Sequence, residues 1–313
     1  MKKLKEKKQE ILTRLKQQST SKIHWSDDYK NKLKEFSGNG KMIRGSLFLR
    51  LYELLGGEKD VLDIAVALEI TQSGILAHDD VMDKDDIRRG EKTIHNQYKD
   101  FVEDEHFGYS MAICFGDIAF FQSFKLIPDN LKEIYSNQMM NCAFGQMQDL
   151  YFSNSAKEPS TQEILEVYKH KTAGYTFSLP MMLAAKLQGE DENKYKELGN
   201  LLGIIFQIVD DHIGIFGDKD EIGKTPGLDF KENKKTLHRQ IILKRKPELK
   251  KYYGKTLTEK ELDLLRKEHE QIKPEIDKII TEYQEKADKI IETLNKDQQF
   301  FTELSYYNLN RLK

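Results

Sequence analysis

Two short runs of aspartate carry most of the chemistry that residue type and spacing specify. The first is Leu76-Ala-His-Asp-Asp-Val-Met-Asp83, followed by Ile87-Arg-Arg-Gly90. Val61, Ala65, Leu68, Gln72, Ile75, Asp79 and Asp83 recur at spacings of three or four and so share one helix face. That face is apolar until it ends in carboxylates, with Asp80 beside them. A solvated charge face would not gather at the end of an apolar stripe. The second run, Gly203-Ile-Ile-Phe-Gln-Ile-Val-Asp-Asp-His-Ile-Gly214, repeats the layout with Asp210 and Asp211, and Gln207 precedes them on the same face. Carboxylates without cysteine ligands select hard ions that prefer oxygen, so Mg2+ is expected rather than zinc. His78 and His95 read as hydrogen-bonded structural residues. A metal phosphohydrolase built on the His78-Asp79 pair would need further histidines upstream, where only His24 stands.

Cations accompany both runs. Arg88 and Arg89 follow the first, and the loop Gly217–Lys235 after the second carries Lys224 and Lys234. Lys41 and Arg44 lie three apart, so one helical turn would set both on one side, just after glycines that leave backbone N–H groups open to phosphate. Lys171 and Thr172 sit in an apolar context, where a lysine either meets an anion or snorkels to the surface; both readings stay open. These are more cations than a monophosphate needs. With the apolar Ile75, Thr71 and Leu68 stripe beneath Asp79, they describe a diphosphate-binding rim above a greasy shaft. The matching chemistry is ionisation of an allylic diphosphate. Metal and cations take up the departing charge, and a dry cavity shields the carbocation until a phosphate-bearing alkene attacks it.

The elements that must position these residues are helices. Few Val/Thr alternations and 6 prolines argue against a sheet. The spacing predicts helices over 2–18, 46–55, 58–83, 107–127, 130–152 and 162–187, a polar loop over 84–98, and charged helices through 236–313. Thr161 is the expected N-cap and Pro180 the expected kink of the sixth. The 107–127 segment is apolar nearly all round and should be buried in a core or at a subunit contact. Gln146 and Asp149 read as ordinary helix surface. The expected fold is all-α: a single domain, 1–313, of about ten or more helices around a central cavity. Charge is balanced, with 50 Lys+Arg against 52 Asp+Glu, so no global field points to nucleic acid. No apolar run approaches a membrane span, and the first residues, Met1-Lys-Lys-Leu-Lys-Glu-Lys-Lys8, lack the apolar core expected of a signal peptide. Cys114 and Cys142 read as reduced packing residues, and a cytoplasmic protein is expected.

These motifs, in this order, resemble the trans-isoprenyl diphosphate synthase family over nearly the whole length. Lys-x-x-Arg matches Lys41 and Arg44, and the aspartate motif with Arg-Arg-Gly matches Asp79–Asp83 and Arg88-Arg89-Gly90. Lys-Thr matches Lys171-Thr172, Phe-Gln-x-x-Asp-Asp matches Phe206–Asp211, and Gly-Lys with Gly-x-Asp matches Gly223-Lys224 and Gly227-Leu-Asp229. The resemblance implies that Asp79 and Asp83 bind two Mg2+, supported by Asp80, and that Asp210 binds a third with Asp211. It implies that Arg88, Lys171, Lys224 and Lys234 hold the allylic diphosphate (dimethylallyl, geranyl or farnesyl) beside Gln207 and Thr172. Lys41, Arg44, Gln72 and Arg89 would hold isopentenyl diphosphate, and the departing diphosphate would take the final proton. A homodimer is implied as well, joined through the 107–127 helix.

Two positions depart from the family pattern. Gly214 stands where a third aspartate is usual, with Asp218 as a substitute, and Gly45 stands where proline is common. Product length should follow from what plugs the shaft. Gly74 and Ile75 carry no aromatic ring, so the floor falls to Phe120 and Phe121, and geranylgeranyl diphosphate is expected, with farnesyl or longer chains as alternatives. A terpene cyclase would need an Asn/Asp-Ser/Thr-Glu triad after Asp211, which is lacking. A non-catalytic synthase subunit would typically have lost the first aspartate motif, which is complete.

Overall fold

A computed structural model describes residues 2–18, 23–217, 227–294 and 298–310. Helix dominates it. Among the described residues the only strands are Ile87–Arg88 and Glu91–Lys92, paired antiparallel as a small hairpin. The chain packs as two compact units. The first takes Met1–Tyr135 with Leu183–Glu190, and the second takes Ser136–Met182 with Asp191–Lys313.

The first unit is built on α4 (Leu62–Asp83), whose residues Ile64–Gly74 are buried without interruption. α1 (Lys2–Gln17), α2 (Ser26–Gly38), α3 (Ile43–Leu54), α5 (Ile94–Val102) and α6 (Glu105–Leu126) pack around it. Burying the apolar side chains of this run, at about 25 cal/mol per Å2, is the main force holding this helix in place. α3 starts earlier than the spacing predicts, at Ile43, after Met42 in the left-handed region at φ 50. Lys41 therefore precedes the helix and shares no helical turn with Arg44. α5 begins inside the expected loop, because Ile94, His95 and Tyr98 supply a short buried face.

The second unit is built on α10 (Glu192–Phe216), which packs on a π-helical segment, Tyr168–Ser178. α7 (Asp129–Asn154) leads to α8 (Thr161–Val167), and α9 (Leu179–Gln188) follows the π segment. α11 (Leu228–Lys231), α12 (Leu237–Arg245), α13 (Glu259–Glu270), α14 (Lys273–Glu292) and α15 (Gln298–Asn310) complete the chain. α8 is capped by Ser160, not Thr161: Ser160 and Glu163 form a reciprocal capping box. Pro180 lies two residues past the end of the π-helical segment, Tyr168–Ser178. It lacks the N–H that an α-ladder needs, and the turns ahead of it are widened into the π segment.

α10 is long and apolar enough to cross a membrane by length and hydropathy, contrary to the sequence expectation, but 56% of that window is buried inside the protein. Of the two settings expected for 107–127, burial within the chain's own core holds for only part of the helix. Ile113, Ile118, Phe121 and Phe124 of α6 are exposed, and so, on α7, are Met140, Phe144, Met147 and Tyr151.

Candidate active site

α4 ends at Asp83 because Lys84 turns left-handed, at φ 57, and Asp85 returns its N–H to the Asp80 carbonyl at 3.0 Å. The reversal carries the hairpin back over the helix end. Arg88 bonds Asp80 through Nε, and its Nη2 reaches Asp79 at 3.2 Å and Asp85 at 3.4 Å. Burial alone would pull the Arg88 pKa down, but Asp80, Asp79 and Asp85 outweigh it and the pKa is raised. Arg88 is thus a counter-ion of the aspartates. Asp80 is fully buried and Asp79 half-buried. Asp85 is not marked by the helical periodicity, since a left-handed turn places it. Asp79 and Asp83, one turn apart, offer carboxylate oxygen only, and this donor set fits Mg2+.

Arg44 and Arg89 are both drawn to the buried Glu69 of α4. Burial raises the Glu69 pKa, opposed by Arg44, the Gly45 N–H and Arg89. Arg89, left-handed at φ 56, also donates from Nη1 to the Phe36 carbonyl at 3.0 Å. Gly45 gains a reason here. Its N–H donates to Glu69 at 2.7 Å, a bond proline would delete, and a Cβ would meet the Ala65 carbonyl at 2.7 Å. Gln72 lies one turn from Glu69, with its Oε1 buried and making no hydrogen bond among the described residues. Of the four expected here, Arg44 and Arg89 come together, Gln72 stands on the neighbouring turn, and Lys41 is exposed.

In the second unit Asp210 is exposed and Asp211 buried. Asp211 accepts from the Tyr168 hydroxyl and from Gln207 Nε2 at 2.8 Å, while Gln207 Oε1 accepts from Thr172 at 2.7 Å. The Tyr168 oxygen in turn accepts from the Leu237 N–H at 2.8 Å. Burial and Asp229 push the Asp211 pKa well up, against its hydrogen bonds from Tyr168 and Gln207. Asp211 therefore positions this end rather than presenting itself outward. Lys171 meets an anion: its Nζ lies 2.5 Å from Asp149, which corrects the reading of Asp149 as plain surface. A Cβ on Gly214 would run into the Asp229 carboxylate. The space of a third aspartate on α10 is filled by Asp229 from α11, and Asp218 and Lys224 lie outside the described residues.

Lys234 is 2.9 Å from Glu232 and 3.8 Å from Asp229. Its turn is fixed by Arg239, buried to 2% exposure, which bonds Asn233 at 2.7 Å and Glu158 at 2.9 Å and stacks on Tyr253 at 4.1 Å. Tyr168, Asp149, Glu158 and Arg239 carry no motif of their own.

Among the residues expected to set chain length, a Cβ at Gly74 would meet the Phe120 ring at 2.9 Å, and the Phe120 ring stands edge-on to His78 at 5.2 Å. Phe121 is 78% exposed and takes no part in that layer, which corrects its assignment as floor.

These features define a class: an all-helical protein that ends two core helices in aspartates, each beside its own cations. Residues 29–272 match the polyprenyl synthetase family, and the chain belongs to it. It is 31% identical over 217 residues to the geranylgeranyl diphosphate synthase of Sulfolobus acidocaldarius, covering 64% of this chain and 62% of the relative. The chain thus matches less than two thirds of that relative's length. The crystal structure of geranylgeranyl pyrophosphate synthase from Corynebacterium glutamicum, complexed with isoprenyl diphosphate and magnesium, superposes with a TM-score of 0.86 at 24% identity, over 99% of this chain and 97% of that one. The geranylgeranyl pyrophosphate synthetase of the archaeon Geoglobus acetivorans gives 0.82 at 26% identity, over 98% of each chain.

Proposed function

We propose that the protein is a Mg2+-dependent prenyltransferase that joins isopentenyl diphosphate head-to-tail to an allylic diphosphate, with geranylgeranyl diphosphate as product. The observation that carries this reading is the α4 end: Asp79 and Asp83 one turn apart, with Asp79, Asp80 and Asp85 bonded by one buried arginine, Arg88. Membership of the polyprenyl synthetase family and the geranylgeranyl diphosphate synthases among its relatives support it.

Asp79 and Asp83 would hold two Mg2+ and Asp210 a third. The ions, when bound, supply positive charge to the leaving diphosphate. Arg88 keeps Asp79 and Asp80 oriented, and Asp211, fixed by Tyr168 and Gln207, orients the second end. Arg88, Lys171, Thr172, Lys224 and Lys234 receive the allylic diphosphate beside Gln207, and Arg44, Arg89, Lys41 and Gln72 the isopentenyl one. The allylic C–O bond breaks with its electrons leaving on diphosphate. The alkene of isopentenyl diphosphate forms the new C–C bond, and the departed diphosphate takes the proton. The chain, 1–313, acts as a single domain. The exposed apolar side chains of α6 and α7 pair with a second copy, giving a cytoplasmic homodimer.

Incubation with Mg2+, isopentenyl diphosphate and dimethylallyl, geranyl or farnesyl diphosphate, followed by extraction of the lipid, tests this. Formation of the C20 product is expected; folded protein that elongates none of the three starters refutes the reading.

A further inference from the structure

α1 carries a lysine in the middle of its buried stripe. Leu4, Ile11 and Leu15 are buried and lie with Lys8 at spacings of three or four, so the four share one helix face. A lysine on such a face needs a polar partner. Lys8 has one on another element: its Nζ donates to the Gly40 carbonyl at 2.7 Å.

Gly40 belongs to the turn between α2 and α3 that leads into Lys41 and Arg44. It is buried, and its N–H donates to the Ser37 carbonyl at 3.0 Å. A Cβ at Gly40 would meet Arg89 Nη1 at 2.6 Å, so the guanidinium lies directly against the backbone of the turn. The same Nη1 donates to the Phe36 carbonyl at 3.0 Å. Arg89 is crowded: burial, Arg88 and Arg44 lower its pKa, against Glu69 and Asp80. Its place therefore depends on the backbone packed against it. α1 meets the same stretch twice more, since Cβ atoms at Gly38 and Gly45 would come within 3.8 Å of Leu12 and 2.8 Å of Ile11.

We propose that Lys8 is a positioning residue for isopentenyl diphosphate: from α1 it holds the Gly40 turn shut against Arg89. The proposal rests on the reading above that gives Arg44, Arg89, Lys41 and Gln72 to that substrate. A trans peptide is planar, so a Gly40 carbonyl turned to Lys8 sends the Lys41 N–H to the opposite side, away from α1. Lys8 thus fixes both the direction of the Lys41 backbone and the distance from the turn to Arg89. With that hold gone, Gly40 can swing off the guanidinium, and the like charges of Arg44, Arg88 and Arg89 drive Arg89 outward. The residues given to the allylic diphosphate stand, apart from Arg88, beyond residue 170, so the effect falls on one substrate.

The test is the pair of KM values for isopentenyl and farnesyl diphosphate, measured with Mg2+, with folding checked by circular dichroism. Lys8→Met is expected to raise the KM for isopentenyl diphosphate about 10-fold and that for farnesyl diphosphate less than about 2-fold. Lys8→Arg still donates to the carbonyl and should keep both near wild type. Gly40→Ala pushes Arg89 aside directly and should raise the isopentenyl KM by itself. Adding Lys8→Met to it should change little further, because the turn has already parted from Arg89. Arg14→Ala loosens the other end of α1, where Arg14 bonds Asp60 at 2.6 Å and Asp63 at 3.1 Å, and should leave both KM values alone. An unmoved isopentenyl KM in Lys8→Met overturns the proposal. So does a rise of both KM values in Lys8→Met and Arg14→Ala alike, which makes α1 a general brace. Effects that multiply in the Lys8→Met, Gly40→Ala double variant make Lys8 a remote charge and overturn its positioning role. A wild-type protein that elongates no starter refutes the prenyltransferase reading, and the proposal falls with it; an active wild type with an unmoved KM in Lys8→Met refutes the proposal alone.

Discussion

The two acid ends solve the same electrostatic problem differently. At the end of α4 the aspartates are held by a full positive charge inside their own cluster: Arg88 bonds Asp80, Asp79 and Asp85. At the end of α10 the buried Asp211 is held by neutral donors, the Tyr168 hydroxyl and the Gln207 amide, and its pKa is driven well up by burial and by Asp229. The first end can keep several carboxylates ionised at close range. The second keeps one carboxylate buried as an anchor and exposes another, Asp210. The difference teaches that the α4 end is the one preorganised for cations, whereas the α10 end is tied into the fold through a chain of hydrogen bonds.

If so, the α4 end should be far more sensitive in activity. Asp79→Ala is expected to lower kcat by about 1000-fold with the helical signal unchanged. Asp211→Asn keeps the shape and the Tyr168 and Gln207 contacts in part, and should cost only about 10- to 100-fold. Steady-state rates with Mg2+ and both substrates measure the two. Equal losses would erase the distinction.

Stability gives the next contrast. Arg88→Leu leaves Asp79, Asp80 and Asp85 crowded with their shared arginine gone, and about 3–5 kcal/mol of destabilisation is expected. Urea unfolding at neutral pH reads it. A small effect would mean that the acid cluster relaxes into water, and that Arg88 is not its counter-ion.

Much of this was legible in the sequence, and the exceptions share a cause. The apolar stripe ending at Asp79 and Asp83 is a local periodicity, and a helix reproduces it directly. Gln207 and Asp211 are four apart on α10 and bond as that spacing suggests. The partners of Lys171 and Arg239 were invisible because Asp149 and Glu158 are 22 and 81 residues away. Gly214 read as a lost aspartate because only the packed chain brings Asp229 against it. The π segment was also hidden. Pro180 announces a missing N–H, but whether a helix kinks or widens depends on what packs on it, here α10. Phe120 and Phe121 look alike in sequence, and one residue of helical rotation separates a packed ring from an exposed one.

Behind the second acid end lies a feature the first lacks, a row of three histidines, two of them buried and one, His212, half-buried. His212, His238 and His269 follow one another at ring separations of 5.6 and 6.4 Å, beside Phe230, with the Tyr253 hydroxyl 3.2 Å from His269. Both nitrogens of His238 are buried without a hydrogen bond. Burial lowers all three pKa values, His269 to about 4 with help from His212, and His238 well below its ordinary value with help from His269 and His212. His212 is also lowered by Lys273, against Asp277. The unfolded chain takes up these protons near pH 6.5 and the folded chain does not. Stability is therefore whole above that pH and falls as the pH drops towards 4. For His269 alone, moving from 6.5 to about 4 corresponds to about 3 kcal/mol. Urea midpoints at pH 7.5 and 5 should differ accordingly, and His269→Phe should flatten the difference. A pH-independent midpoint would show that the row is solvated.

The smallest expected effect tests the hydrogen-bond chain itself. Tyr168→Phe removes one hydroxyl, which donates to Asp211 and accepts from the Leu237 N–H. Both partners are buried, so each is left unsatisfied, and about 1–3 kcal/mol of stability should be lost. The loss should not add to that of Asp211→Asn, because one hydrogen bond links the two side chains. Additive losses in the double variant would mean that Tyr168 serves Leu237 and the start of α12 alone. The α10 end would then hold Asp211 through Gln207 only, and the contrast with the arginine-clamped end of α4 would narrow to one neutral amide against one guanidinium.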